Sequence, residues 1–404
     1  FDFVPLGNSG DGDGYDSDPT DSTAATDSHG THVGTTIAAL NDGNNINGFG
    51  IGVVPVRVLG ADGTGFVSDI TQGLLYAGGF ANGSGIVYSG DTPIKVVNMS
   101  LGSTGSTCSN AYQGAINDLY AVNISIVSSS GNSGVEEYGS PASCNNVISV
   151  AATEATRNRA YYSTYNDLVD IAAPGGDVGT DANADGYGDG VLAFGSNEDL
   201  AFYQGTSMAS PHVAGAIGIL YALVPELLSS QVDALIIDGH LVDDIGEPGK
   251  DNEFGYGQAD PTAFVEAAGS IDRSLNVSMD VSTMEEVLNE SSIQGISSGA
   301  QPGSSGAESQ TKVEVRVGGG EWREASDDSP LGDWSIWSIK LETHVESGNS
   351  TIYARLVVDE EHISPVDARR VILLDLPASS IDSSGELDSS KILIIAVSLM
   401  FSLL

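Results

Sequence analysis

Short apolar runs alternate with small-residue stretches along the first two thirds of the chain. VVPVRVL (53–59), IKVVNMS (94–100), NISIVSS (123–129), NVISVAA (146–152) and LVDIAAP (168–174) are rich in Val and Ile. Near-continuous runs of this length predict strands buried on both faces, as in a parallel sheet covered by helices. Between and after them, AYQGAINDLYA (111–121) and SMASPHVAGAIGILYALV (207–224) predict helices. The second is Ala- and Gly-rich, as suits a helix packed tightly in a core. Residues 1–268 therefore read as an α/β domain. An open sheet of this kind holds its ligand at the carboxyl ends of its strands, so the residues just after each run come first for chemistry.

The pattern changes beyond residue 268. Residues 269–311 lose periodicity and fill with Ser, Gly, Gln and Glu, which reads as a linker. Residues 312–376 turn β-rich, with KVEVRV, DWSIWSIKLE, STIYARLVV and RRVILLD separated by the turns GGGEW and ESGN. That predicts a small β-sandwich. A Ser/Asp-rich spacer, 377–390, precedes the apolar tail KILIIAVSLMFSLL (391–404). Its 14 residues fall short of the roughly 20 needed to span a membrane, so it reads as the start of a membrane anchor or as an apolar tail. The amino end opens on FDFVPL with neither a start Met nor a signal peptide. Both ends are expected to be fragment ends.

Charge narrows the partners. Against 55 acidic residues stand 14 basic ones, a net of -41 with no Lys/Arg cluster, so nucleic acid is not an expected partner. Such acidity fits a heavily solvated surface or sites for hard cations. The chain has two cysteines, Cys108 and Cys144, and their number alone leaves free thiols and one disulfide both open.

Three segments sit where chemistry is expected. DSHGTHVGTT (27–36) places His29 at the head of a helix, SSSGN (128–132) follows a strand, and GTSMASPH (205–212) opens the long small-residue helix. A serine hydroxyl attacks only when a nearby base takes its proton. Ser207 is flanked by Gly205 and small residues and has a helix amino terminus behind it. A histidine is a suitable base at neutral pH, and an amide donor such as Asn132 suits a developing oxyanion. A zinc pair is the other reading of His29 and His32, but no third ligand cluster accompanies them. His32 and His212 read as packing or hydrogen-bonding residues.

SHGTHVGTTIAAL, VPVRVLGADGTG, VVNMSLG, SSSGNSG, SPASCNNVISVAA and YQGTSMASPHVAG, in that order across residues 1–268, resemble the subtilisin-like serine peptidases. The resemblance implies a subtilisin-like doubly wound parallel sheet, N-terminally truncated, followed by a small β-sandwich similar to Ig-like domains. It implies His29 as general base, Ser207 as nucleophile, and Asn132 as oxyanion donor beside the Ser207 backbone N–H. Gly63, Thr64 and Gly65, with Ser100, Leu101 and Gly102, match the two segments that pair with an extended substrate. Ser129, Ser130, Gly131 and Gly139 match the pocket for the residue before the scissile bond. The expected product is a secreted endopeptidase acting on protein or peptide substrates, outside the cell or at its surface and tethered there if the tail begins an anchor.

Three departures stand out. The family's orienting aspartate ends a Val/Ile-rich strand well upstream of the histidine, and no such stretch occurs here. Asp2, Asp11, Asp13, Asp16, Asp18, Asp21 and Asp27 precede the histidine, yet none ends a buried strand. An inactive, subtilase-shaped surface or binding protein is therefore the alternative reading. Thr35 stands where the family has Gly, which predicts crowding in the helix. GFGIGVVPVRV is shorter than its counterpart, consistent with a missing surface turn.

Asp181, Asn183, Asp185, Gly186 and Asp189 follow the opening of a D-x-N-x-D-G calcium loop, with Leu192 in place of the closing Glu. Asp11, Asp13, Asp16, Asp18 and Asp21 resemble an acidic calcium-binding segment of some secreted subtilases. Calcium is the expected structural cofactor, with no organic cofactor. In similar secreted subtilases the segments around Cys108 and Cys144 carry a bridged pair, which implies an oxidising compartment.

Overall fold

The computed structural model describes residues 1–20, 28–43, 46–195 and 199–270, and further on 276–279, 285–288, 292–298, 312–317, 323–327, 336–340, 348–359, 362–363 and 367–374. They fall into two units, Phe1–Gly269 and Ser270–Leu404.

In the first unit the apolar runs become a six-stranded sheet. β1 (Val96–Met99), β3 (Ser125–Ser129), β5 (Ile148–Thr153) and β6 (Ile171–Pro174) lie parallel in that order, followed by β10 (Gln258–Ala259) and β9 (Val242–Asp243). β6 pairs parallel with β10, and only the β10–β9 pair is antiparallel. All residues of β3 and β5 are buried, which is why those runs carry no polar alternation. Helices α1 (Leu6–Ser9), α2 (His29–Ala38), α3 (Val67–Ala77), α4 (Asn110–Ala121), α5 (Thr206–Leu223), α6 (Ser229–Ile237) and α7 (Pro261–Ser270) connect and cover the sheet. Two short ribbons complete the unit. β2 (Ser103–Thr104) pairs with β4 (Gly139–Ser140), and β7 (Val191–Phe194) pairs with β8 (Leu200–Tyr203).

The small-residue helix α5 packs against β1, β3, β5, β6 and α2. Its composition is a steric requirement. A Cβ on Gly215 would meet the Phe49 ring at 2.2 Å, and one on Gly218 would meet Ile51 at 3.2 Å. On the α3/α4 side, Ile70, Leu74, Ile116, Leu119, Ile124 and Ile126 form a core cluster with Cys144 at its edge. Cys108 and Cys144 are joined in a disulfide that closes a separation of 36 residues. Ser109 caps α4 by accepting the Tyr112 N–H.

One expected strand differs. Residues 53–59 form no strand of the sheet and make a single bridge, Arg57 to Asp2, with hydrogen bonds from Phe3 N to Arg57 O and from Arg57 N to Phe1 O. The Phe1 amine also donates to the Pro55 carbonyl at 3.0 Å, so 55–57 runs beside residues 1–3, while Val53 and Val54 remain 41% and 38% exposed. Arg57 is buried. It donates to Asp2 at 2.6 Å and also contacts Asp11 and the Ser9 carbonyl.

Beyond Ser270, the described residues of the second unit lie almost entirely in strands. β11 (Asn276–Met279), β13 (Ser292–Ser298), β17 (Ile336–Lys340) and β16 (Ser326–Asp327) form one sheet. β12 (Glu285–Leu288), β20 (Asp367–Leu374), β18 (Gly348–Asp359), β14 (Lys312–Val317) and β15 (Arg323–Glu324) form another, with β19 (His362–Ile363) paired to β18. Three of these strands lie in the stretch read as linker. Their Ser-rich sequence hides the pattern: β13 (SIQGISS) has only two apolar residues, three apart, and β11 (NVSM) is too short to show a period. The expected spacer and tail, 377–404, lie outside the described residues.

Candidate active site

Ser207 is the second residue of α5 and half-buried at its amino terminus. Unpaired N–H groups and the helix dipole make this end favourable for negative charge. The turn before it demands glycine: Gly205 has φ +149, and its N–H donates to both the Gly175 carbonyl (3.1 Å) and the Tyr162 hydroxyl (3.0 Å). Tyr162 in turn donates to the Gly176 carbonyl at 2.7 Å, a buried brace under the nucleophile turn. Burial also holds the Tyr162 phenol above its ordinary value, so it stays protonated.

Asn132 approaches from the loop after β3. Its Oδ1 accepts from the Thr206 backbone N–H (2.8 Å) and from Thr206 Oγ1 (2.9 Å). Two donors on one oxygen fix the amide's orientation and direct Nδ2 to the other side. A Cβ on Gly205 would stand 3.6 Å from that nitrogen. Gly131, with φ +118, donates to Thr206 Oγ1 at 3.3 Å, and its carbonyl accepts from Thr164 N.

A third element reaches Ser207 from the end of β1. Ser100 Oγ donates to the Ser207 carbonyl at 2.7 Å, and Ser207 Oγ lies 3.4 Å from the Ser100 carbonyl. Asn98 Nδ2 donates to Ser100 Oγ at 3.0 Å, while Ser210 Oγ donates to Asn98 Oδ1 at 2.6 Å. Asn98, Ser210, Thr206 and Tyr162 were missed by sequence reasoning. The available signal was a lone amide inside the apolar run IKVVNMS and a second serine one turn after the nucleophile.

His29 is the first residue of α2, and α2 packs against α5 and β7. Ser28 Oγ and the Tyr203 hydroxyl lie 2.9 Å apart, tying the head of α2 to β8. His32, one turn further, is wholly buried and stacks on Tyr203 with ring centroids 4.4 Å apart. Its Nε2 faces the Val191 and Ala201 carbonyls at 3.0 and 3.2 Å, so the proton sits on Nε2. Burial holds the imidazole below its ordinary value, with nearby His29 acting in the same direction. His212 Nδ1 donates to the Met208 carbonyl at 2.8 Å. Thr35 does not crowd the helix. Its hydroxyl donates to Thr31 O at 2.8 Å and accepts the Phe194 N–H at 3.2 Å, joining α2 to β7.

Gly63, Thr64 and Gly65 form an exposed turn in which Asp62 accepts both the N–H and the hydroxyl of Thr64. A Cβ on Gly65 would meet the Val58 carbonyl at 2.5 Å. Ser129 and Ser130 are buried, with Ser130 Oγ donating to Thr164 O. A Cβ on Gly139, in β4, would lie 3.0 Å from the Ser103 carbonyl and 3.4 Å from that of Ser130. Leu101 and Gly102 lead from β1 into β2.

Among the described residues no three His, Cys, Asp or Glu side chains are grouped to hold a metal ion. In the 181–189 loop the oxygens are turned onto the loop's own backbone. Asp181 accepts from Asp185 N and Gly186 N, Asn183 Oδ1 from Asp185 N, and Asp189 from Ala182 N at 2.6 Å. At the amino end the cation beside Asp2 and Asp11 is the Arg57 guanidinium. Asp13, facing the Asp11 and Asp16 carboxylates, is pushed up to about 6. Asp21 lies outside the described residues.

Residues 6–257 match the family model described as the subtilase family. The chain is 42% identical over 207 residues to an extracellular protease of Xanthomonas campestris pv. campestris, covering 50% of this chain and 34% of that protein. It is 36% identical to alkaline elastase YaB of a Bacillus species, over 57% of this chain and 53% of the elastase. To subtilisin BL of Lederbergia lenta it is also 36% identical, over 58% of this chain and 77% of that subtilisin. Among solved structures, proteases from Pseudoalteromonas arctica align with TM-score 0.57 and 34% identity, over 66% of this chain and 83% of theirs. The chain thus spans about a third of the Xanthomonas protein and about half of the elastase. With the family match across most of the first unit, and Ser207, Asn132 and His29 placed on the elements just described, the chain belongs to the subtilase family of peptidases.

Proposed function

We infer that the protein is a secreted serine endopeptidase that cleaves protein or peptide substrates through Ser207. The observation that carries this reading is the Asn132 amide, clamped through Oδ1 by Thr206 and offering Nδ2 beside the amino terminus of α5. A donor held before the charge appears costs no reorganisation when it does. Extracellular action follows from the relatives' names and from the disulfide.

Ser207 Oγ attacks the scissile carbonyl carbon as its proton passes to the His29 imidazole. The carbonyl π electrons move to oxygen, and the oxyanion accepts from Asn132 Nδ2 and the Ser207 backbone N–H. Collapse breaks the C–N bond, and the departing amine takes the proton from His29, leaving an ester on Ser207. A water molecule then repeats the sequence, giving its proton to His29 and releasing the acid. Substrate lies extended along Ser100–Gly102 and Gly63–Gly65, with the residue before the scissile bond directed toward Ser129, Ser130, Gly131 and Gly139.

Asp2 does not serve as the orienting carboxylate. Its Oδ2 is taken by Arg57 and its Oδ1 by the Val4 N–H. Structural calcium is proposed at the Asp181–Asp189 loop, where Asp181, Asn183, Asp185 and Asp189 would have to turn from the loop backbone to meet the ion. The second unit is assigned to an Ig-like β-sandwich that spaces the peptidase from a surface.

The test is hydrolysis of an unstructured protein such as casein by the full-length protein. Activity in the unaltered protein, lost in both Ser207→Ala and His29→Ala, is the expected result. Undiminished hydrolysis by Ser207→Ala contradicts the mechanism. No hydrolysis by any form, with no in-frame strand ending in Asp upstream, favours a binding protein of subtilase shape.

A further inference from the structure

We propose that Asn98 and Ser210 are positioning residues that set the register between the substrate-pairing strand and the nucleophile; this rests on the peptidase reading above. Three side chains and one backbone carbonyl form a directional chain of hydrogen bonds, from Ser210 Oγ to Asn98 Oδ1 (2.6 Å), from Asn98 Nδ2 to Ser100 Oγ (3.0 Å), and from Ser100 Oγ to the Ser207 carbonyl (2.7 Å). The chain starts and ends on α5, at Ser210 and Ser207, and passes through the end of β1.

Directionality makes Asn98 specific. Its amide must accept at one end and donate at the other, so neither Asp nor Leu reproduces it. Ser210 is wholly buried and Ser100 nearly so, and a hydrogen bond in such surroundings is costly to break and firmly oriented. Ser100 is also the first residue of the segment that pairs with substrate. Holding its hydroxyl on the Ser207 carbonyl therefore fixes how far a bound peptide lies from Ser207 Oγ. Errors of about 1 Å at this point cost roughly a hundredfold in rate. Asn98 and Ser210 touch neither substrate nor the reacting atoms in this scheme and act only through Ser100.

A small fluorophosphonate needs Ser207, its base and the oxyanion donors, but not the strand at Ser100–Gly102. A peptide substrate needs all of them. In the full-length protein, Ser210→Ala and Asn98→Ala should each lower kcat/KM for a tetrapeptide substrate by roughly tenfold to a hundredfold. Fluorophosphonate labelling rates should change by less than about threefold, within the ordinary uncertainty of such comparisons. Because the two changes cut one chain, the double variant should lose little more than either alone. Parallel falls in both assays, or additive losses, overturn the positioning role and leave only a stability effect. An unaltered protein that takes no label overturns the peptidase reading, and this role with it.

Discussion

Asn132 has two ends with different work. Oδ1 accepts twice from Thr206, and in the proposed mechanism Nδ2 serves the oxyanion. Replacing Asn132 with Ala should lower kcat by about a hundredfold to a thousandfold with little change in KM, the loss known for removing this kind of donor in subtilisin. Thr206→Val deletes one of the two bonds to Oδ1 and should cost only a few-fold, read in the same steady-state assay. A comparable KM increase in Asn132→Ala would argue for a ground-state contact instead. His29, Ser207 and Asn132 stood out as candidates in the sequence because each lies in a dense local motif. Asn98 and Ser210 did not, because they are 112 residues apart and only the fold brings them to 2.6 Å.

At the scale of elements, α2 and the β7–β8 ribbon are held together by buried polar contacts from His32, Thr35 and Ser28. His32 is neutral in this arrangement, with Nε2–H donating and Nδ1 having no hydrogen-bond partner. Its folded-state value lies below the ordinary 6.5, so the unfolded chain binds the extra proton first. Stability is therefore intact above pH 6.5 and falls as the pH drops below it, by up to about tenfold in the folding constant per unit until the folded-state value is reached. Melting temperatures taken from pH 7.5 down to about 5 should show this slope, and His32→Gln should flatten it. An equal slope in both proteins would remove His32 as its source. Strands β1, β3, β5 and β6 were readable from their apolar runs, which in β3 and β5 reflect full burial on both faces. The run at 53–59 misled: it meets residues 1–3 only through the Arg57–Asp2 bridge and flanking hydrogen bonds, and its first two valines stay exposed.

Over the whole molecule, 55 carboxylates face 14 basic side chains, and self-repulsion opposes compactness. Arg57, buried between Asp2 and Asp11, offsets part of it at the amino end. The 181–189 loop gathers Asp181, Asp185 and Asp189 just before β7, and it is there that calcium is proposed. Excess chelator should lower the melting temperature of the full-length protein, and Asp185→Asn should blunt that response. A melting temperature indifferent to chelator would contradict the assignment. The strands β11, β12 and β13, inside the stretch read as a linker, were not legible, because their Ser, Gly and Glu content gives no apolar run.

The central claim is that Ser207 is the activated nucleophile, and the direct measurement is mass spectrometry of the full-length protein after fluorophosphonate treatment. One adduct per chain, mapped to the peptide containing Ser207 and absent from Ser207→Ala, is the predicted result. An adduct on another residue, or equal labelling of the Ser207→Ala variant, would contradict the account.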